Sequence, residues 1–199
     1  MPAKRTYAYA EEFVPGVVVA MTLDLPDRVL LYAHMVAFLA STTPDFPDVA
    51  PDNPKNLLFN EPIVGQRVEI ARAEFDVLAS DSFYMASHAT ELASTIARVT
   101  DCTDFTAGIV FSIPTRHQIM FHIVDEDRDA QAAIEVMADC AYREFAGSPP
   151  GLSGEIYLWL DGQVHRITTA STVRHNEGWP LYTSPSRRDQ RGARMPSSA

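Results

Sequence analysis

The sequence predicts an α+β fold, in which a mostly antiparallel sheet is built from hairpins and two amphipathic helices pack on it. Several apolar, β-branched segments follow one another after short turns, which is the pattern of adjacent hairpins. Two other segments carry apolar residues at intervals of three and four, the period of one helix face. Because strands joined by short turns pair antiparallel, this order favours α+β over a doubly wound parallel sheet.

The N-terminal quarter predicts one strand, one ambiguous segment and one loop. Residues 16–25 are apolar and β-branched and end at a Pro-Asp pair, so they predict a strand. Residues 28–41 fit two alternatives, because 29–31 suit a strand that pairs back while 34–40 suit a helix. Four prolines among aspartates then predict an irregular loop over 41–54, the favoured place for a lobe boundary.

A strand region and the first helix are predicted next. Residues 67–78 alternate with a change of phase near Arg72, which predicts one strand with a bulge or two short strands. Apolar residues from Met85 to Val99 recur at helical spacing and predict an amphipathic helix. Its N-terminal cap is expected among three polar residues, Ser80, Asp81 and Ser82.

Two pairs of short apolar segments predict two hairpins. The segments 108–113 and 118–124 form the first pair, with a four-residue connection between them. The segments 155–160 and 163–167 form the second pair and flank Asp161-Gly162, which is a dipeptide typical of a two-residue hairpin turn.

An acidic segment precedes the second predicted helix. The apolar stripe from Ala130 to Phe145 predicts that helix, and the acids of 125–129 lie where the helix dipole favours negative charge. Alternating aspartates also mimic the first half of a calcium loop. The required Gly and Glu are replaced by Ala130 and Val136, so a helix N-terminus is the better interpretation.

Charge divides the 199 residues into an acidic body and a basic tail. The chain carries a net charge of -10. Residues 173–199 hold five arginines and two acids, a net +3, so residues 1–172 carry -13. We therefore expect a single acidic domain over 1–172 and a basic tail over 173–199 that is disordered or loosely docked.

Composition also excludes several classes of protein. An acidic body is repelled by phosphate backbones, so we expect no general nucleic-acid binding. Two cysteines, Cys102 and Cys140, cannot form a disulfide scaffold or a four-cysteine zinc site. The longest apolar run, 29–40, is too short to span a bilayer, and no export signal is recognisable. A cytoplasmic location and no membrane partner are therefore expected.

Some segments resemble a known family. They are Phe83-Tyr-Met-Ala-Ser87, the hairpin Phe111 to Phe121 with the helix after it, and Leu152-Ser153 ahead of Tyr157. Over roughly residues 64–168 the chain resembles the YtpQ-like family of bacterial domains, which has no assigned function. The central feature is an Ile-Pro-x-Arg turn between two apolar strands. The resemblance implies an α+β fold and brings no catalytic residue or cofactor.

No motif for catalysis, metal binding or cofactor binding is recognised, so none of these is predicted. His88 and Glu91 have the i, i+3 spacing of a ligand pair, but they fit better as the polar flank of the first helix. Ser153 lacks the Gly-x-Ser-x-Gly context of a nucleophile elbow. Cys140 lies on a helix and fits a packed small apolar residue.

Candidate interaction residues lie in two places. The turn Pro114-Thr-Arg-His117 would present a cation and an imidazole at a hairpin tip, although an ordinary exposed turn also explains it. The tail carries aromatic anchors and arginines suited to docking on a partner. The candidates are Arg116, His117, Trp179, Tyr182, Arg187 and Arg188.

These observations lead to three hypotheses of different classes. The first is a non-catalytic interaction or accessory protein that acts through a protein partner or through self-association. The alternative is an enzyme, most plausibly a hydrolase, whose site combines dispersed acids with His88, His117 and His122. The minor alternative is an acidic mimic of nucleic acid, which requires the acids to form one contiguous face.

Overall fold

The computed structural model describes residues 10–20, the strand pair 22–25 and 28–31, residues 62–149 and residues 151–167. The strands are β1 (Glu11–Val14), β2 (Val17–Val19), β3 (Thr22–Leu25), β4 (Arg28–Leu31), β5 (Val64–Ile70), β6 (Ala73–Ala79), β7 (Ile109–Thr115), β8 (Gln118–Ile123), β9 (Tyr157–Leu160) and β10 (Gln163–Arg166). The helices are a 3-10 helix (Met85–Glu91), α1 (Leu92–Thr100) and α2 (Ala130–Gly147).

The predicted α+β class is confirmed. Six strands form one sheet in the order β10-β9-β7-β8-β6-β5, and every neighbouring pair is antiparallel. The hairpin β7–β8 lies at its centre, and β5–β6 and β9–β10 are hairpins at its two edges. Two further hairpins, β1–β2 and β3–β4, form separate two-stranded sheets.

Apolar side chains from alternate strand positions form a core on each face of the six-stranded sheet. On the first face, Phe111 and Phe121 pack with residues of the 3-10 helix and α1 and with Val14 of β1. On the second face, Val110 and Met120 pack with Met137 and other residues of α2. The sheet is therefore a middle layer with one helical layer on either side.

The single strand predicted over 16–25 is wrong in extent. Gly16 has a φ of +89° and, with Pro15, makes the turn of the hairpin β1–β2. Strand β3 begins only at Thr22. Of the two alternatives for residues 28–41, the strand that pairs back is confirmed over 28–31, where β4 pairs with β3.

The phase change near Arg72 marks a hairpin turn, so the prediction of two short strands over 67–78 is confirmed. Ala71, with a φ of 56°, begins the tight connection between β5 and β6. A positive φ at one residue lets the chain reverse within two positions. The register pairs Arg67 with Asp76 across the two strands, and Arg67 forms a bidentate ion pair with that carboxylate.

The first predicted helix is formed by two segments. Its N-terminal half is the 3-10 helix and its C-terminal half is α1, while Met85, Leu92 and Ile96 are buried as the spacing predicts. The expected side-chain cap is wrong: Ser80 Oγ accepts a hydrogen bond from the Ser82 amide at 3.1 Å. Such bonds make turns ahead of the helix, and its first residue receives no side-chain cap.

The second helix and both hairpins are confirmed. Asp129 caps α2, since its Oδ1 accepts from the Ala132 amide at 3.0 Å. Asp125 Oδ1 accepts from the backbone amides of Asp127 and Arg128, so this acidic segment folds as a helix N-terminus. The Asp161-Gly162 turn has positive φ at both residues, as a two-residue hairpin turn requires.

Several predictions fall on residues outside the described ranges. They are the helix alternative over 34–40, the irregular loop over 41–54 and the basic tail over 173–199. Within the described ranges, neither α-helix nor the 3-10 helix has the length and hydropathy needed to cross a bilayer.

Candidate functional site

The connection between β7 and β8 is shorter and more deeply packed than its sequence indicates. Strand β7 continues through Pro114 to Thr115, so the turn consists of Arg116 and His117 alone. Thr115 is buried and forms an isolated bridge with Gly151. This end of the central hairpin is called the tip below.

The tip is fixed from both sides by backbone hydrogen bonds. Two segments supply the donors: one runs from the end of β6 into the first turn of the 3-10 helix, and the other is the loop after α2. The four bonds are Ala86 N–H to Arg116 O at 3.0 Å, Ser80 N–H to His117 O at 3.1 Å, Leu152 N–H to Pro114 O at 2.9 Å and Ser153 N–H to Ile113 O at 3.1 Å. These four tertiary bonds hold the backbone of the tip in one position.

Arg116 and His117 hold each other in a defined geometry. The Arg116 Nε–H donates to His117 Nε2 at 3.0 Å. His117 Nδ1 lies 3.1 Å from the carbonyl oxygen of Ser82, and since a carbonyl only accepts, Nδ1 carries the proton. The guanidinium carbon of Arg116 lies 4.8 Å from the ring centroid of Phe83, a cation–π distance.

The outer end of the Arg116 guanidinium is available to a ligand. Within the described residues, its two Nη nitrogens form no hydrogen bond or ion pair. Other arginines differ, because carboxylates pair with them. These are Arg67, Arg72, Arg128 and Arg143.

A cleft of about 1080 Å³ opens beside the tip. The end of β6, the tip and the C-terminal end of α2 contribute most of its lining, which mixes hydroxyl and amide groups with charges of both signs. The polar and charged residues that line it are Ser80, Asp81, Ser82, Thr115, Arg116, His117, Gln118, Glu144 and Ser148. Glu144 is half-buried, and its carboxylate has no ion-pair partner within the described residues.

The part of the chain that builds the cleft carries a net negative charge. Residues 62–149 and 151–167 together hold 7 arginines and 16 acids, a net charge of -9. Arg116 is therefore a half-buried cation in an acidic part of the chain. Because a guanidinium with free Nη donors pairs bidentately with oxyanions, the cleft has the chemistry to bind one.

The three histidines considered for an enzyme do not meet in one pocket. His88 is buried in the 3-10 helix, other residues of which belong to the first-face core, and its Nδ1 lies 3.3 Å from Thr95 Oγ1. His122 alternates with Met120 and points to the second face. His117 alone of the three lines the cleft. The expectation that His88 lies on a polar helix flank is wrong, because only 1% of it is exposed.

His122 lies next to the point where the pairing between β6 and β8 ends. Strands β6 and β8 pair only from Asp76 onward, and the His122 imidazole donates from Nδ1 to the Glu74 carbonyl at 2.7 Å. Its Nε2 is buried and has no hydrogen-bond partner within the described residues. Desolvation by burial lowers the pKa of His122, and the nearby charge of Arg128 acts in the same direction.

The contacts of Ser153 and the burial of Cys140 fit structural roles for these two residues. Ser153 Oγ lies 2.7 Å from the Tyr157 hydroxyl, which in turn donates to the Pro15 carbonyl of the first hairpin at 3.3 Å. Burial raises the pKa of the Cys140 thiol, which disfavours the thiolate. Among the residues the structure describes, no three His, Cys, Asp or Glu side chains are grouped to hold a metal ion.

The remaining sequence candidates, Trp179, Tyr182, Arg187 and Arg188, lie outside the described residues. Sequence reasoning missed two members of the site, Phe83 and Glu144. Nothing in the sequence is a signal for Phe83, because a phenylalanine is expected to be buried and its exposure is seen only in the structure. Nor does the sequence indicate that Glu144 belongs to a site, because its position is that of an ordinary polar residue of α2.

Comparisons with protein-family models, with curated proteins and with solved structures gave no match at the thresholds applied. The resemblance to the YtpQ-like family therefore stays a prediction.

Proposed function

We propose that the protein is a non-catalytic interaction protein that binds a protein partner at the surface formed by Phe83, Arg116 and His117 and the adjoining cleft. This set of residues is called the tip surface. The observation that carries the proposal is that Phe83 is 51% exposed and that the guanidinium of Arg116, a half-buried residue, stacks on its ring.

Residue type and rigidity support this function. Aromatic residues and arginine are enriched where binding energy concentrates in protein interfaces. The backbone bonds at the tip and the Arg116–His117 bond fix these side chains before a partner arrives. Binding a partner would therefore cost little entropy for ordering these side chains, and this small cost favours affinity.

The hydrolase hypothesis receives no comparable support from the histidines. It requires at least two of them beside a carboxylate in one pocket. His88 and His122 are buried on opposite faces of the sheet, and each is only 1% exposed. A water molecule and a substrate would have to reach both at once, which this separation opposes.

Site-specific photo-crosslinking in the native cell tests the proposal. A photoreactive phenylalanine analogue is placed at position 83 of the full chain, or at position 72 as the control. Arg72 lies in the β5–β6 turn, at the end of β6 away from the tip, and its side chain is 86% exposed.

We expect position 83 to give a discrete crosslinked species that position 72 does not give. A product of twice the chain mass would identify the partner as a second copy. Identical products from the two positions, or none from position 83, would contradict the proposal.

A further inference from the structure

We propose that the cleft beside Arg116 is a carboxylate-binding site, which receives the carboxylate of a partner polypeptide. The inference rests on the proposed function and adds the chemistry by which the partner is recognised. It is argued from the donors that the tip leaves unused and from the charge around them.

The first argument is the orientation of the guanidinium. Its Nε–H is used by His117 and one face is covered by Phe83, so the two Nη groups are the donors that remain. These two groups form an end-on fork that matches the two oxygens of a carboxylate. Because His117 and Phe83 restrain the side chain beforehand, the fork is in place before the ligand binds.

The second argument is a supply of neutral donors. Ser80 Oγ accepts from the Ser82 amide at 3.1 Å, and Thr115 Oγ1 accepts from the His117 amide at 3.3 Å. A hydroxyl that accepts a backbone bond still has its own hydrogen to donate. Both residues line the cleft, so these hydrogens are available to an anion that Arg116 holds there.

The third argument selects a carboxylate over a phosphate group. Asp81 and Glu144 line the same cleft, and residues 62–149 and 151–167 together carry -9. A phosphate group carries nearly two charges, so it is repelled more strongly by these acids than a singly charged carboxylate is.

The test is an NMR titration of the uniformly ¹⁵N-labelled full chain. The Arg116 Nε–H resonance is assigned by its loss in Arg116→Lys. The probes are acetate, acetamide as its uncharged isostere, and inorganic phosphate, all at constant ionic strength and pH. Acetyl-triglycine, which ends in a free carboxylate, is then compared with its C-terminal amide, which has no carboxylate. Acetyl-aspartate amide tests a side-chain carboxylate in place of a C-terminal one.

We expect acetate to shift the Arg116 Nε–H and His117 amide resonances saturably, and acetamide to leave them in place. Arg116→Lys keeps the charge and loses the planar fork, so acetate should bind at least about tenfold more weakly. Arg143→Lys, which changes an arginine already paired with Asp139, is the matched control and should bind acetate as the unchanged protein does.

Equal shifts with acetamide, tighter binding of phosphate than of acetate, or unchanged acetate affinity in Arg116→Lys would each overturn the carboxylate site. Crosslinking at position 83 separates this failure from failure of the proposed function. A specific crosslink without acetate binding would remove the carboxylate site alone, whereas loss of both would remove the protein-binding role as well.

Discussion

Replacing Gly151 by alanine is expected to destabilise the fold by changing how the end of α2 meets the tip. A Cβ built at this position lies 2.6 Å from Cδ2 of Phe145 and closer still to that residue's carbonyl oxygen, whereas Cβ atoms essentially never approach another heavy atom within 3.0 Å. Because one of the two obstacles is the backbone of α2, a change of side-chain rotamer cannot relieve the contact. The chain around Gly151 must move instead.

The magnitude follows from what that movement disturbs. Forcing one extra carbon into a packed region costs about 1–3 kcal/mol. The bridge between Gly151 and Thr115, to which the Leu152–Pro114 bond belongs, is also disturbed, and a typical hydrogen bond contributes about 1 kcal/mol. We therefore expect a loss of about 3 kcal/mol in the free energy of unfolding.

Urea unfolding of the full chain, followed by circular dichroism, measures this loss. Gly147→Ala at the end of α2 is the matched control, because its Cβ would meet nothing within 4 Å. That variant should change stability by no more than about 1 kcal/mol, in the stabilising direction, since alanine favours helix over glycine. Equal effects of the two substitutions, or a loss below about 1 kcal/mol in Gly151→Ala, would refute the reasoning.

Three further predictions concern pH, capping and a buried hydroxyl. Since burial lowers the pKa of His122, the unfolded chain takes up that proton first, and stability should fall as pH drops below about 6.5 by up to about 1.4 kcal/mol per pH unit. Urea midpoints at several pH values should show a shallower slope in His122→Gln than in the exposed-site control His165→Gln; parallel slopes would contradict it. Asp129→Ala should cost about 1 kcal/mol by removing the cap of α2, measured in urea against Asp127→Ala, and a cost no greater than that control's would count against the cap. Tyr157→Phe should lower the thermal midpoint by removing the hydroxyl between two segments, at a cost of about 1–2 kcal/mol; an unchanged midpoint would exclude a stabilising role for that hydroxyl.

Local chemistry made most of the sheet predictable. The Asp161-Gly162 turn and the apolar segments on either side specify a hairpin without any distant contact, and the central hairpin is specified in the same way. The strand predicted over 16–25 failed because an apolar, β-branched run also fits two short strands. The first of these two strands, β2, is separated from β1 by a turn that depends on the positive φ of Gly16. The prediction that His88 lies on a polar helix flank was wrong because tertiary packing buries this polar side chain.

The candidate site was only half predictable. The sequence placed Arg116 and His117 on a hairpin tip, because the two flanking strands are clear. It could not show that Phe83 lies under the guanidinium, since those residues are 33 positions apart and meet only through tertiary packing. Glu144 joins them from α2 for the same reason, and no local period or motif encodes that meeting.

The bond from Tyr157 to Pro15 has a consequence for the order in which the molecule assembles. It joins residues 142 positions apart, whereas the β7–β9 pairing of Phe111 with Tyr157 spans 46. Closing the longer loop costs about 1 kcal/mol more in chain entropy, so the hairpin β1–β2 should dock after the six-stranded sheet has formed. By the same reasoning it should detach first, and its backbone amides should exchange with solvent faster than those of β7 and β8. The hairpin β1–β2, which precedes the six-stranded sheet in the chain, would thus dock after that sheet.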